Sequence, residues 1–248
     1  FSAVDSKGNL SDKSVMGGMT TISAQIAQFI LSTATTVVLA RLLTPADFGL
    51  IGMVSVVITF VTLLKSAGLS MATVQKEEIN RDQISTLFWI NVIISGFLGI
   101  LVLSASPLVA AFYGKPELTA VTAVLSVSFI ISGLSIQHQA LIKRHMRFGT
   151  LAIITIGSQL FNLIVAVALA FLGMRYWALV GGAVSSAIAN TALTFIFCPW
   201  KPSKMQKGTG VRSMLKFGGH LTAFNIINYF SRNSDYIVVG KYLGDSEL

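Results

Sequence analysis

Charge is scarce in this sequence. Only 11% of the 248 residues are Asp, Glu, Lys or Arg, against about a quarter in a soluble globular chain, so a water-facing globular domain is excluded. Cysteine is almost missing as well: Cys198 stands alone, which rules out an internal disulfide and a cysteine metal set. The three histidines, His138, His145 and His220, form no sequence-local group. There is no phosphate loop, no HExxH pair and no nucleophile elbow. Nothing therefore marks a catalytic residue, a metal site or an organic cofactor, and the expectation is a protein that is not an enzyme. A cleavable signal peptide is not evident either, because Phe1–Lys13 is polar and the first apolar block is too long for a signal core. The chain begins without Met, which leaves Phe1–Asn9 open between native and processing residues.

What is present is long apolar blocks. Uncharged runs cover Ser14–Ala40, Phe48–Leu64, Gln83–Gly114, Leu118–Ile142, Phe148–Met174 and Tyr176–Trp200, and a seventh, Phe217–Ser231, stops at Arg232. Each reaches or approaches the ~20 residues a helix needs to cross the hydrocarbon core. Backbone groups in lipid must bond within their own segment, so these runs are helices and not strands. The fold class is all-α, a polytopic membrane bundle. Helices are expected at about Val15–Ala40, Ala46–Ala67, Thr86–Ala111, Glu117–Leu141, Thr150–Leu172 and Trp177–Phe197, with a seventh from near Phe217.

Basic residues set the orientation. With the N-terminus in the cytoplasm, twelve of the 18 Lys and Arg lie inside: Lys7 and Lys13, Lys76 and Arg81, Lys143, Arg144 and Arg147, then Lys201 to Lys216. Arg41, Lys115, Arg175 and Lys241 lie outside. The net charge of +8 is thus mainly a topology signal, and no nucleic-acid partner is expected.

One stretch recurs. Gly18–Gly49 aligns without a gap on Gly218–Leu248 at an offset of 200 residues. Val38-Leu39-Ala40-Arg41-Leu42-Leu43 lies over Val238-Val239-Gly240-Lys241-Tyr242-Leu243, and Gln28 over Asn228. Such self-similarity marks a duplicated unit. The chain divides into a cytoplasmic tail (1–14), a six-helix lobe (15–198), a basic cytoplasmic linker (199–216) and the first helix of a second lobe (217–248), which is expected to continue past Leu248. Six intervening helices put both copies in the same direction, the parallel-repeat plan of one transporter class with the substrate path between halves.

Several polar side chains need a reason in such a bundle. The first helix carries Thr21, Gln25, Gln28, Ser32 and Thr35 or Thr36 on one face, so that face meets another helix or a watery cavity. Gln25, Gln28 and Asn228 fit cavity lining and interhelical hydrogen bonding equally. Lys65 either snorkels to headgroups or offers a cation to anionic cargo. Arg232 and Asp235, three apart, either neutralise each other or form a site where Arg232 meets an anion and Asp235 exchanges a proton or sodium ion. His138 either titrates or packs and caps the inner end of the fourth helix. Lys143, Arg144 and Arg147 enforce topology and contact anionic lipid, or recruit cargo at a cytoplasmic entrance. Arg41 and Lys241 read as outer headgroup anchors.

LARLLTPADFGLIGM (Leu39–Met53), VQKEEINRDQISTLFWIN (Val74–Asn91), the run from Tyr113 to Phe148, YWALVGG (Tyr176–Gly182) and Phe217–Gly244 resemble the polysaccharide-transporter family. These are Wzx-type flippases of the multidrug/oligosaccharidyl-lipid/polysaccharide exporter superfamily, and the colanic-acid exporter branch is the most similar. The similarity runs from about Leu10 to the last residue. The resemblance implies a bacterial inner-membrane carrier of two six-helix lobes. It would move an undecaprenyl-pyrophosphate-linked oligosaccharide outward by ion-coupled alternating access, with membrane lipids, a polysaccharide polymerase and chain-length machinery as partners. The Arg-Asn-x-Asp pattern at 232–235 resembles the family's. A cation-coupled drug exporter of the same superfamily, a membrane-embedded enzyme and a scaffold of polysaccharide assembly are the alternatives.

Overall fold

A computed structural model describes residues 7–66, 68–76, 78–206, 210–224, 227 and 228. Seven helices follow in order: α1 (Lys7–Leu42), α2 (Pro45–Ser66), α3 (Gly68–Gln75), α4 (Arg81–Tyr113), α5 (Glu117–Arg144), α6 (Phe148–Phe171) and α7 (Trp177–Phe197). All but α3 are long and apolar enough to cross a membrane, so the chain is a multi-pass membrane protein. A further helical stretch covers 212–224. Hereafter the basic end is the one carrying Lys143–Arg147, and the far end carries Arg41, Lys115 and Arg175.

Three boundaries differ from expectation. α1 starts at Lys7, so the second half of the expected tail is helical. α4 starts five residues before Thr86 because Asn80 caps it: Asn80 Oδ1 accepts from Gln83 N at 2.8 Å, and Gln83 Oε1 accepts from Asn80 N at 3.3 Å. This reciprocal pair draws Arg81 and Asp82 into the first turn. The third is α3, within a stretch expected to carry the end of the second helix and the start of an inner loop. Eight residues do not hold a helix alone; α3 is held by packing on α5 and α4, with Ala72 and Thr73 buried. The helical stretch at 212–224 likewise begins inside the expected linker.

α4 runs unbroken through Pro107, whose missing N–H frees the carbonyl of Leu103 four residues earlier. Ser106 Oγ donates to that carbonyl at 2.7 Å, so the freed group is satisfied without water, as hydrocarbon demands.

The helices pack in the lateral order α4, α5, α7, α6, α1, with α2 lying over α4 and α5. α5 also touches α3 and α6, which makes it the central strut. α1 packs along α6 while α2 takes α4 and α5, so the two diverge from the corner that joins them. At that corner Asp47 is 1% exposed. Its Oδ2 accepts from the Thr44 N–H at 3.0 Å and the Thr44 hydroxyl at 2.7 Å, closing the first turn of α2. Its Oδ1 faces Arg175 Nε at 3.4 Å. Arg175 sits in the tight α6–α7 turn with a left-handed φ of 49°, so one carboxylate ties two far-end turns together.

Four apolar clusters fill the interior. The largest lies at the basic end and joins Ile84, Leu87, Leu141, Ile142 and Ile154 with Met214 of the 212–224 helix. Val54 with Leu118 and Val121, and Leu39 with Ala166 and Ala178, fill the far end. Two glycines set helix separations. A Cβ at Gly133 would meet Ser95 Cβ at 2.5 Å, and one at Gly182 would meet Ala166 Cβ at 2.9 Å and the Asn162 carbonyl at 3.2 Å, close approaches typical of membrane helix pairs. Gly133→Val should therefore lower the detergent melting temperature, the overpacking costing about 1–3 kcal/mol. Gly18→Ala, whose Cβ meets nothing within 4 Å, should leave it unchanged or raise it; equal losses in the two variants would refute this packing.

Candidate functional site

Three successive residues of α5 reach in three directions, because each step along a helix turns the side chain by about 100°. Gln137, fully buried, donates through Nε2 to Thr73 Oγ1 of α3 at 2.9 Å and accepts through Oε1 from Asn91 Nδ2 of α4 at 3.3 Å. Gln139 donates to Asn190 Oδ1 of α7 at 2.6 Å and lies 3.4 Å from Thr194 Oγ1. His138, also fully buried, places Nε2 at 3.1 Å from the Trp200 carbonyl and Nδ1 at 3.2 Å from the Leu134 carbonyl. Its ring lies among Phe195, Trp200 and Phe88 at centroid distances of 4.3, 5.2 and 5.7 Å.

The residues after α7 are bound to the lobe rather than hanging from it. Trp89 Nε1 donates to the Ser203 carbonyl at 2.9 Å, and the Ser203 N–H donates to Ser85 Oγ at 3.0 Å. With the Trp200–His138 contact, these bonds lay residues 200–203 across the basic ends of α4 and α5 like a strap.

The four expected entrance residues separate by role. His138 is inside this packing and closed to water. Arg144 spends its guanidinium on the end of α3: Nη1 donates to the carbonyls of Thr73 at 2.9 Å, Val74 at 3.4 Å and, at short range, Lys76. Those are the carbonyls a short helix leaves without partners, so Arg144 is a positioning residue. Lys143 and Arg147 are exposed; Arg147 Nη1 donates to the Phe197 carbonyl at 3.4 Å.

Of the remaining candidates, Gln25 is exposed on a groove of about 400 Å³ lined by Gly17, Thr21, Met146 and Phe148. Gln28 is half-buried on α1, whose packing neighbour is α6. Lys65 is the penultimate residue of α2, its side chain outside the described residues. Asn228 is helical and exposed. Arg232 and Asp235 lie outside the described residues. Among the described residues no group of three His, Cys, Asp or Glu could hold a metal ion. Asn91, Thr73 and Asn190, which carry the network, escaped the sequence reading; an Asn inside an uncharged span of α4 or α7 was the signal that could have found them.

The family described as "Polysaccharide biosynthesis protein" matches residues 38–248. The chain is 25% identical over 242 residues to the Escherichia coli lipopolysaccharide biosynthesis protein WzxC, covering 95% of the chain and 48% of the relative. It is 25% identical over 228 residues to the Rhizobium meliloti succinoglycan biosynthesis transport protein ExoT, covering 91% and 46%. It is 26% identical over 195 residues to the Bacillus subtilis teichuronic acid biosynthesis protein TuaB, covering 76% and 40%. The chain thus spans somewhat less than half the length of these curated relatives. No solved structure matches.

Arg144→Ala should strand the α3 carbonyls and cost about 1–3 kcal/mol of stability, seen as a lower melting temperature and faster proteolysis between α3 and α4. Lys143→Ala, one residue away and exposed, should stay within about 0.5 kcal/mol. Indistinguishable variants would remove Arg144 from its positioning role.

Proposed function

The chain belongs to the polysaccharide biosynthesis protein family, and on that premise we propose that the full-length protein is a flippase carrying a lipid-linked oligosaccharide across the bacterial inner membrane for polysaccharide export. The observation that carries this reading is the family match to an all-helical, six-span bundle whose opening helix recurs after 200 residues. The printed name of ExoT, a transport protein, supports transport over catalysis. The names of WzxC and TuaB support an extracellular polysaccharide as the end product.

In this reading the residues described above form the rigid first lobe. Gln137 ties α5 to α3 and α4, and Gln139 ties it to α7, so the lobe moves as one body against the second. The diverging α1 and α2 leave an open face for that second lobe, and Gln25 offers it a polar group. Arg232 and Asp235, in the second copy, supply the charge: Arg232 holds the pyrophosphate and Asp235 exchanges the coupling proton or sodium ion. Alternating access then exposes the cargo first to the cytoplasm and next to the outer leaflet. The basic end faces the cytoplasm, as the excess of Lys and Arg there demands.

Complementation of a flippase-null strain by the full-length gene should restore surface polysaccharide and clear accumulated lipid-linked repeat units. Arg232→Ala and Asp235→Ala should each abolish that rescue at unchanged membrane abundance; full rescue by both variants would reject their role. Orientation has its own test, since Cys198 is the single cysteine of the 248 residues. In a Cys198→Ala background, a membrane-impermeant maleimide added to intact cells should label Lys115→Cys and leave Lys204→Cys unlabelled. The opposite pattern would invert the topology.

A further inference from the structure

The α5–α6 turn and the start of the strap enclose a cavity of about 280 Å³ at the basic end. Leu141, Ile142 and Pro199 form apolar walls, and His145, Arg147 and Trp200 supply its polar atoms. We propose that this cavity binds one anionic phospholipid of the surrounding bilayer, its acyl chain between the apolar walls and its phosphate against Arg147, the Trp200 indole N–H and the first turn of α6.

Four observations meet here. The apolar walls suit hydrocarbon better than water, which needs two or more polar partners to settle in a cavity. The Trp200 indole nitrogen is buried and has no hydrogen-bond partner among the described residues. A buried donor in that condition is costly, and a phosphate oxygen is an acceptor that would relieve it. Arg147 is the N-cap residue of α6, and no side chain caps that end. The opening amides and positive pole of a 24-residue helix therefore point toward an anion. Finally, no Asp or Glu occurs from Leu118 through Ser234. The nearest cations along the chain, Lys143, Arg147 and Lys201, thus have no sequence-local carboxylate to neutralise them.

A guanidinium, an indole N–H and backbone amides above an oily slot match a headgroup with its chain attached, and match a free anion less well. The site also lies where a headgroup would be, at the mouth of the bundle, with Trp200 as the amphipathic ring that favours that depth. A lipid seated there would bridge α5, α6 and the strap, and this holds whether or not the protein transports anything.

The test is native mass spectrometry of the full-length protein in detergent, titrated with phosphatidylglycerol, phosphatidylethanolamine, a polyprenyl pyrophosphate or inorganic phosphate. One phosphatidylglycerol should be retained in preference to phosphatidylethanolamine. Arg147→Ala should weaken that retention about tenfold, as loss of one charged hydrogen bond does. Trp200→Phe, which keeps a ring and removes the N–H, should weaken it by a smaller factor. Lys143→Ala, exposed and outside the cavity, should leave it unchanged. Equal losses from Lys143→Ala and Arg147→Ala would reduce the site to general surface charge and overturn the proposal. So would equal retention of the two phospholipids, displacement by inorganic phosphate alone, or a preference for the polyprenyl pyrophosphate. Because the readout is binding, its failure leaves the flippase reading standing, and failed complementation leaves the lipid site standing.

Discussion

A polar side chain inside hydrocarbon has no water to fall back on, so each one must be matched by another part of the protein. That requirement organises the bundle. Between the apolar clusters lies a layer in which every step of α5 from Gln137 to Gln139 finds a different partner: Asn91 and Thr73, then the Trp200 carbonyl, then Asn190. Single interhelical bonds of this kind average only about 0.6 kcal/mol in membrane proteins, so the layer adds little to raw stability. What it fixes is rotation and register. An α5 turned by one residue would leave Gln137 facing lipid and strand Thr73 and Asn91 together.

The same requirement explains how charge is used. Only the ends of the helices carry it, and there it closes turns. Asp47 gives one oxygen to Thr44 and the other to Arg175, joining the α1–α2 corner to the α6–α7 turn. Arg144 does the equivalent at the basic end by covering the last carbonyls of α3. Ser106 is the uncharged counterpart in mid-membrane, bonding the carbonyl that Pro107 leaves open. In each case a side chain supplies a bond that the backbone alone lacks.

The spans were legible in the sequence because hydrocarbon thickness imposes both length and composition. Phe148–Phe171 and Trp177–Phe197 follow almost directly from where charge stops and starts. α3 was not legible, since eight residues carry too little periodicity and the helix exists only against α5. Nor were the partners of Gln137 and Gln139, which lie 46 to 64 residues away along the chain and are set by which faces meet. Arg144 and Lys143 read alike in sequence as basic loop residues, yet 100° of helix rotation sends one to the α3 carbonyls and the other to the surface. Arg232 and Asp235 stand outside the described residues, so their chemistry rests on the sequence pattern.

The strap also has a mechanical meaning. Chain that is pinned to a body cannot serve as slack for whatever follows it, and here the pinning reaches Ser203, with Thr86 Oγ1 at 3.5 Å from the Gln206 carbonyl. Met214 is already seated in the basic-end cluster, only a few residues beyond. A leash that short keeps the local concentration of the next helix very high at its seat. During synthesis the second half would therefore find its place by a unimolecular docking step, with the finished first half as its template.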